Sequence, residues 1–317
     1  MDNKKNKSHE WLELIITLFG LSVVSSFYYG ERFIFLCGVC IGVSFLTEII
    51  SIKLMHRKLT SDCLYSIADA MMISLMLPAV FSVKSAAVAC IFAVVVKNIF
   101  GGKSNTIFSP AAAAYVFMLT SWKDDLLKYP DVNTKYAVGE KVKEFFNSAS
   151  HSFNMEGRTG ISNLDLMLGN FIGASGTVII FLLVVSAAVL ILRRGISAGA
   201  FLGTVIGTVI MAFIIPATDD IIESAKYSLC MNMTLFSAIY IISDRRTAPR
   251  RNFYAFFYGL FTAVVSYVII ATTAQENAIV IVSVLAAPAA LGIRNLENKI
   301  KIADKADEKR EAETVEQ

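Results

Sequence analysis

The chain has 317 residues, of which 55% are hydrophobic and 17% charged, with a formal net charge of +3. An ordinary soluble domain carries roughly a quarter charged residues, so this composition excludes a water-soluble enzyme. Any chemistry must sit in, or open onto, a membrane, and no nucleic-acid partner is expected.

In chain order, apolar runs fall at residues 12–28, 33–52, 64–82, 84–100, 108–121, 171–192, 196–215, 227–243, 253–272 and 277–292. Lipid cannot satisfy an open backbone, so these runs predict an all-α integral membrane protein with about ten transmembrane helices. The organisation that follows is a cytoplasmic N-tail (1–11), a first five-helix membrane half (12–121), an extracytoplasmic loop (122–165), a second five-helix membrane half (166–293) and a cytoplasmic C-tail (294–317). No cleavable signal is evident: Ser25-Ser26-Phe27-Tyr28 is a poor cleavage site, so the first run is expected to be a retained helix.

Positive charge orients the chain. With both termini inside, 20 of the 29 Lys and Arg collect on the cytoplasmic side, in the N-tail, the even-numbered connections and the C-tail. Six of the other nine lie in the long loop, where charge weighs little. Cys37 and Cys40 form a C-x-x-C within a span and read first as small apolar residues on one helix face. His9, His56 and His151 do not cluster, so no metal centre is expected.

Five spans precede the long loop and five follow it. Phe108-Ser109-Pro110-Ala111-Ala112 in the fifth resembles Ala286-Ala287-Pro288-Ala289 in the tenth. Two halves with an odd number of spans must run in opposite senses, which predicts an inverted repeat. Pro-Ala runs are also common in membrane helices, so both readings stay open.

Four segments carry candidate chemistry. Asp69 lies within the third span, where a carboxylate is costly and could bind a cation, relay a proton or hold a polar cofactor edge; solvation at the cytoplasmic end is the alternative. Lys97-Asn98-Ile99-Phe100-Gly101-Gly102 leads to Phe108-Ser109-Pro110. Gly101 and Gly102 permit close approach of a planar ligand, and Pro110 opens a helix whose free N–H groups favour an anion. Ser243-Asp244-Arg245-Arg246-Thr247-Ala248-Pro249-Arg250-Arg251 could bind phosphate, membrane lipid head groups or another subunit, or could only set topology. In the outer loop, Glu156-Gly157-Arg158-Thr159-Gly160-Ile161-Ser162 is by itself a turn with two hydroxyls.

Together these segments resemble a family of membrane proteins: the D subunit of the Rnf ion-motive electron-transport complex and the B subunit of the sodium-pumping NADH:quinone reductase. The family's G-K-x-x-F-G-G-x-G-x-N-x-F-N-P-A is matched by Val96 to Gly102 and Phe108 to Ala111, with a shortened link. Its A-T-D-P-V-T-S-P is matched by Ile242 to Pro249, and Glu276 stands before the last span as a glutamate does in the family. The resemblance covers nearly the whole chain.

The resemblance implies FMN joined through its phosphate to a hydroxyl of a D-G-x-S-G-A-T motif. In register, Ser162 is the attachment residue, with Thr159 and Gly160 at the family's Ser and Gly. The sequence departs from the pattern at Glu156, Ile161 and Ser162, where the family has Asp, Ala and Thr. It departs again at Ser109, where the family has Asn, and at Arg245-Arg246, where it has Pro-Val. The resemblance also implies a second, non-covalent flavin, riboflavin, among the helices near Gly101, Gly102, Phe108, Ser109 and Pro110. It further implies a flavin transferase acting on the outer loop, neighbouring subunits of an Rnf-type complex, and electron transfer of the ferredoxin/NAD type coupled to Na+ or H+ movement. The chain would not catalyse alone; Asp69 and Asp244 are the carboxylates expected to couple ion movement. The alternatives are a flavin-free structural subunit of such a complex and a urea-channel-like transporter of a small polar solute.

Overall fold

The computed structural model describes residues 10–56, 63–100, 106–132, 134–140, 142, 144–157 and 160–315, the side chains of residues 10 and 301–315 excepted. The helices are α1 (Glu10–Tyr29), α2 (Glu31–Leu54), α3 (Leu64–Met76), α4 (Val83–Ile99), α5 (Pro110–Ser121), the short α6 (Lys123–Leu126), α7 (Ala149–Glu156) and α8 (Asn163–Leu168). There follow α9 (Ile180–Leu192), α10 (Ala198–Ile214), α11 (Ile221–Cys230), α12 (Thr234–Ser237) running into a π-helical turn (Ala238–Ile242), α13 (Asn252–Thr273) and α14 (Ala278–Val315). Strand pairing among the described residues is limited to two isolated bridges, Tyr129 with Phe146 and Ile196 with Asp244.

The protein is an all-α, multi-pass membrane protein. Four helical stretches are long and apolar enough to cross a bilayer unaided: Trp11–Tyr29, Glu31–Leu54, Asn252–Thr273 and Ala278–Ile300. Large apolar side chains such as Phe19, Phe27, Leu46, Phe181 and Phe261 are exposed along the helices, as a lipid-facing surface requires.

Three predicted spans are not continuous helices. The third, expected over 64–82, ends as helix at Met76, and Leu77 turns extended before Pro78, the conformation that a following proline favours. At about 1.5 Å per residue its 13 residues rise only about 20 Å. The sixth, expected over 171–192, becomes helical only at Ile180. Its non-helical approach plugs the broken end of α3: the Ser175 amide donates to the Leu77 carbonyl at 3.1 Å and the Gly176 amide to the Leu75 carbonyl at 2.8 Å. The Ser25 hydroxyl in turn donates to the Ser175 carbonyl at 2.8 Å. The eighth, expected over 227–243, breaks between α11 and α12, where Asn232 and Met233 both take positive φ. Irregular backbone at membrane depth survives because protein, not lipid, surrounds it. The C-tail is not a separate element: α14 runs unbroken from Ala278 to Val315, through Pro288.

The connections gather on two opposite faces. On the loop face, the described residues between 122 and 168 cover the helix ends: Tyr136 exchanges backbone hydrogen bonds with Tyr29 and Arg32, the Tyr28 hydroxyl donates to the Leu168 carbonyl, and Gly157 abuts Ala217. On the terminal face, Gly195 meets the Glu13 carboxylate, the Ser197 amide donates to the Ser243 carbonyl at 2.8 Å, and the Arg250 and Arg251 amides donate to Glu297 at 2.9 Å each.

Helix pairing repeats across the loop. α2, the second segment of the first half, packs along α4, the fourth; α10 packs along α13 at the corresponding positions of the second half. The second pairing is unusually close. A Cβ at Gly203 would stand 2.1 Å from the Phe256 carbonyl oxygen, and one at Gly259 would stand 2.2 Å from that of Ala200. Only glycine permits this backbone contact, which lipid-immersed helices use in place of a hydrophobic driving force.

Candidate functional sites

The predicted site residues divide between the two faces. On the loop face, Ser162 is exposed and caps α8. Its oxygen accepts from the Asp165 amide at 3.1 Å, and its hydroxyl donates to Asp165 Oδ2 at 2.7 Å. Hydrogen bonds from Asn170 and Ser162 hold the Asp165 carboxyl below its ordinary value. Gly160 is exposed and takes φ +60°, a left-handed turn that suits glycine. Thr159 lies outside the described residues.

Two features adjoin this turn. Lys226 on α11 donates to the Asn163 side chain at 2.8 Å, so an ammonium stands beside the residue next to Ser162. The Tyr227 hydroxyl donates to the Ile161 carbonyl at 3.3 Å. Just upstream, Asn154 to Gly157 form one wall of a cavity of about 370 Å³ that runs between α10 and α13 and is also lined by Thr208, Asn232, Ser266 and Tyr267. Cavities of several hundred cubic ångströms with a few polar groups are the usual setting of organic ligands.

On the terminal face, Asp69 and Asp244 come together through a residue between them. Arg246 donates from Nη2 to Asp69 Oδ1 at 2.6 Å, from Nη1 to Asp69 Oδ2 at 3.1 Å, and from Nε to Asp244 Oδ2 at 2.8 Å. Its amide donates to Asp244 Oδ1 at 2.9 Å, and its guanidinium lies 4.8 Å from the Tyr65 ring centroid. All three charged residues are buried. Arg294 on α14 donates to the Arg246 carbonyl and, at 3.0 Å, to the Thr106 carbonyl.

That second bond brings the start of α5 into the same cluster. Ser109 precedes the helix with Pro110 as its first residue, but the Ser109 hydroxyl makes no capping bond. The Thr106 and Ser109 hydroxyls are buried with no hydrogen-bond partner among the described residues. Phe108 packs its ring 5.6 Å from that of Phe100. Gly101 and Gly102 lie outside the described residues. Two orphaned hydroxyls fit the polar edge of a ligand such as riboflavin.

A second buried ion pair lies between α2 and α4. Lys97 Nζ is 2.9 Å from Glu48 Oε1, and Ser66 and Asn98 both donate to Glu48 Oε2, at 3.2 and 3.1 Å. Sequence reasoning named Lys97 but not its partner, although a glutamate within a span was a sufficient signal. It also treated Arg246 as a departure from a pattern, whereas a guanidinium two residues from a buried aspartate is the ordinary solution to a buried charge.

A family model described as "NQR2, RnfD, RnfE family" matches residues 1–291. Among curated relatives, the D subunit of the ion-translocating oxidoreductase complex of Shewanella frigidimarina is 27% identical over 41% of this chain and 36% of its own length. The D subunit of the Na(+)-translocating ferredoxin:NAD(+) oxidoreductase complex of Acetobacterium woodii is 24% identical over 80% of this chain and 78% of its own length. The D subunit of the ion-translocating oxidoreductase complex of Shewanella amazonensis is 30% identical over 34% of this chain and 32% of its own length. The chain therefore spans about a third of the length of the two Shewanella relatives and about four fifths of the Acetobacterium one.

Proposed function

The chain belongs to the NQR2, RnfD, RnfE family, and from that premise we propose that it is a membrane subunit of an Rnf-type ion-motive electron-transport complex carrying FMN covalently on Ser162. The observation that carries this reading is Ser162 itself: an exposed hydroxyl on the loop face, in register with the family's attachment motif. Lys226 supports it, because an ammonium beside Asn163 would balance the single negative charge of the phosphodiester. FMN, when bound, supplies one- and two-electron redox chemistry. The chain's own residues fix the attachment point and provide the neighbouring cavity lined by Asn154, Asn232 and Tyr267.

Placement follows from charge. The basic terminal face is cytoplasmic, the loop face extracytoplasmic, and the membrane is the cytoplasmic (inner) one. The two five-segment halves, 12–121 and 166–293, are the units of an inverted repeat. Partners are the other subunits of the complex, membrane lipid and a flavin transferase acting on the loop face. Riboflavin is the second flavin, held by Ser109 and its neighbours.

Asp69 and Asp244 couple ion movement through Arg246. The guanidinium sits where a cation would bind two carboxylates, so an ion from the cytoplasm enters only when Arg246 moves aside. A tethered, permanently charged side chain thus serves as the gate.

A flavin-free structural subunit is the second reading, and one observation favours it: the Asp165 carboxylate is 2.7 Å from the oxygen that would carry the phosphate. Production with a flavin transferase, followed by in-gel fluorescence of wild type and Ser162→Ala, separates the two. Fluorescence confined to wild type supports attachment; none in either supports the structural subunit.

A further inference from the structure

Glu276 sits in the short link between α13 and α14, on the loop face, and is buried. No lysine, arginine or histidine pairs with it among the described residues. Its carboxylate instead accepts two hydroxyl hydrogen bonds, one from Tyr129 at 2.8 Å and one from Ser148, both contributed by the long loop. The other titratable groups facing it are Tyr115 on α5 and Cys230 at the end of α11, with Tyr29 of α1 behind Tyr129. None of them carries positive charge.

The carboxylate borders a small space of about 10 Å³, lined also by Ser150, Thr177 and Asn232. That is about the room one water needs. Two of the three chain breaks described above meet there: the non-helical approach to α9 at residues 173–178, and the gap between α11 and α12 at residues 231–233. Of the two, the end of α11 at Cys230 is a helix C-terminus, which leaves carbonyl oxygens without intrahelical partners, the ligands from which membrane transporters build cation sites. A buried carboxylate without a counter-charge must be neutralised by a proton or a bound cation.

We propose that Glu276, with the Tyr129 and Ser148 hydroxyls and the C-terminal end of α11, forms a monovalent-cation site on the loop face that takes up a proton or, in its place, a sodium ion. The site is separate from the Asp69–Arg246–Asp244 cluster on the opposite face. It gives the proposed ion path an end beneath the long loop, and it rests on the ion-motive reading for that purpose. Burial supports the assignment by pushing the Glu276 carboxyl up to about 7, against which the Tyr129 hydrogen bond pulls only partly.

The test uses the full chain in lipid nanodiscs and needs no flavin, so its failure and the failure of attachment at Ser162 are distinguishable. Infrared titration from pH 5 to 9 in choline chloride is expected to show a protonated-carboxyl band that disappears with a midpoint near neutrality and is absent from Glu276→Gln. In sodium chloride, a midpoint lowered in wild type identifies sodium as a competing ligand; superposed curves identify the proton as the sole ligand. Tyr129→Phe removes a donor to the carboxylate and is expected to raise the midpoint, which keeps the proposal open to test should Glu276→Gln not fold. An identical band in wild type and Glu276→Gln, or a midpoint unmoved in Tyr129→Phe, overturns the proposal.

Discussion

Arg246 and Asp69 are 177 residues apart in the sequence, yet two hydrogen bonds of 2.6 and 3.1 Å join them in the buried interior of the terminal face. The pair ties α3 of the first half to the turn that follows the π-helical segment of the second. Asp244 completes the cluster, so one cation answers two carboxylates.

Removing that cation strands both carboxylates. Arg246→Met is expected to destabilise the protein by roughly 3–5 kcal/mol, the range seen when one partner of a buried pair is lost. Unfolding in mixed micelles measures this. Adding Asp69→Asn to Arg246→Met should restore part of the loss, because one stranded charge is gone. A double mutant no more stable than Arg246→Met would show that the two do not interact.

The contact between α10 and α13 predicts intolerance at one glycine. Gly203→Ala sets a methyl group 2.1 Å from a backbone carbonyl, which no side-chain rotation relieves. The helices must separate, at a cost of about 1–3 kcal/mol. The comparison is Gly42→Ala on α2, where a Cβ meets nothing within 4 Å and little change is expected.

Ser162 has a structural and a chemical role that substitution separates. Ser162→Ala should lose flavin attachment and about 1 kcal/mol of stability through loss of the α8 cap. Ser162→Thr keeps a capping hydroxyl and supplies the family's usual acceptor residue. It is expected to carry at least as much flavin as wild type when both are made with a flavin transferase, read by fluorescence per mole of protein.

The sign of one pH effect is fixed by Glu276. Its carboxyl stands near 7 in the folded chain against an ordinary 4.5. Between those values the folded state holds a proton that the unfolded state releases, so this group's contribution is fully present below pH 4.5 and is lost as pH rises through 7. Apparent melting temperature should therefore fall more steeply from pH 5 to 8 in wild type than in Glu276→Gln, measured in sodium-free buffer.

Much of this was legible in the residues. The apolar runs pointed to an all-α membrane protein, and Gly160 and Ser162 were expected on the long loop between the fifth and sixth runs. The break after Met76 had a signal in Pro78, but the one before Ile180 was not legible, because hydropathy reads solvent and not backbone: residues 171–179 lie in an apolar run but serve to cap another helix. The Gly199-Gly203-Gly207 row carried no expectation, because its role depends on α13, which only the fold brings against it. The pairing of Arg246 with Asp69 escaped because a contact across 177 residues leaves no local signature, although Asp244 stands only two residues from Arg246.

The central claim is that an extracytoplasmic hydroxyl of this family member anchors a flavin. Intact mass spectrometry of the full chain, produced with a flavin transferase, tests it most directly. The account predicts a gain of one FMN less one water, localised by peptide mapping to Ser162 and absent from Ser162→Ala. A wild-type chain whose mass equals that of its amino acids alone, under conditions in which the transferase modifies a known acceptor, would contradict it.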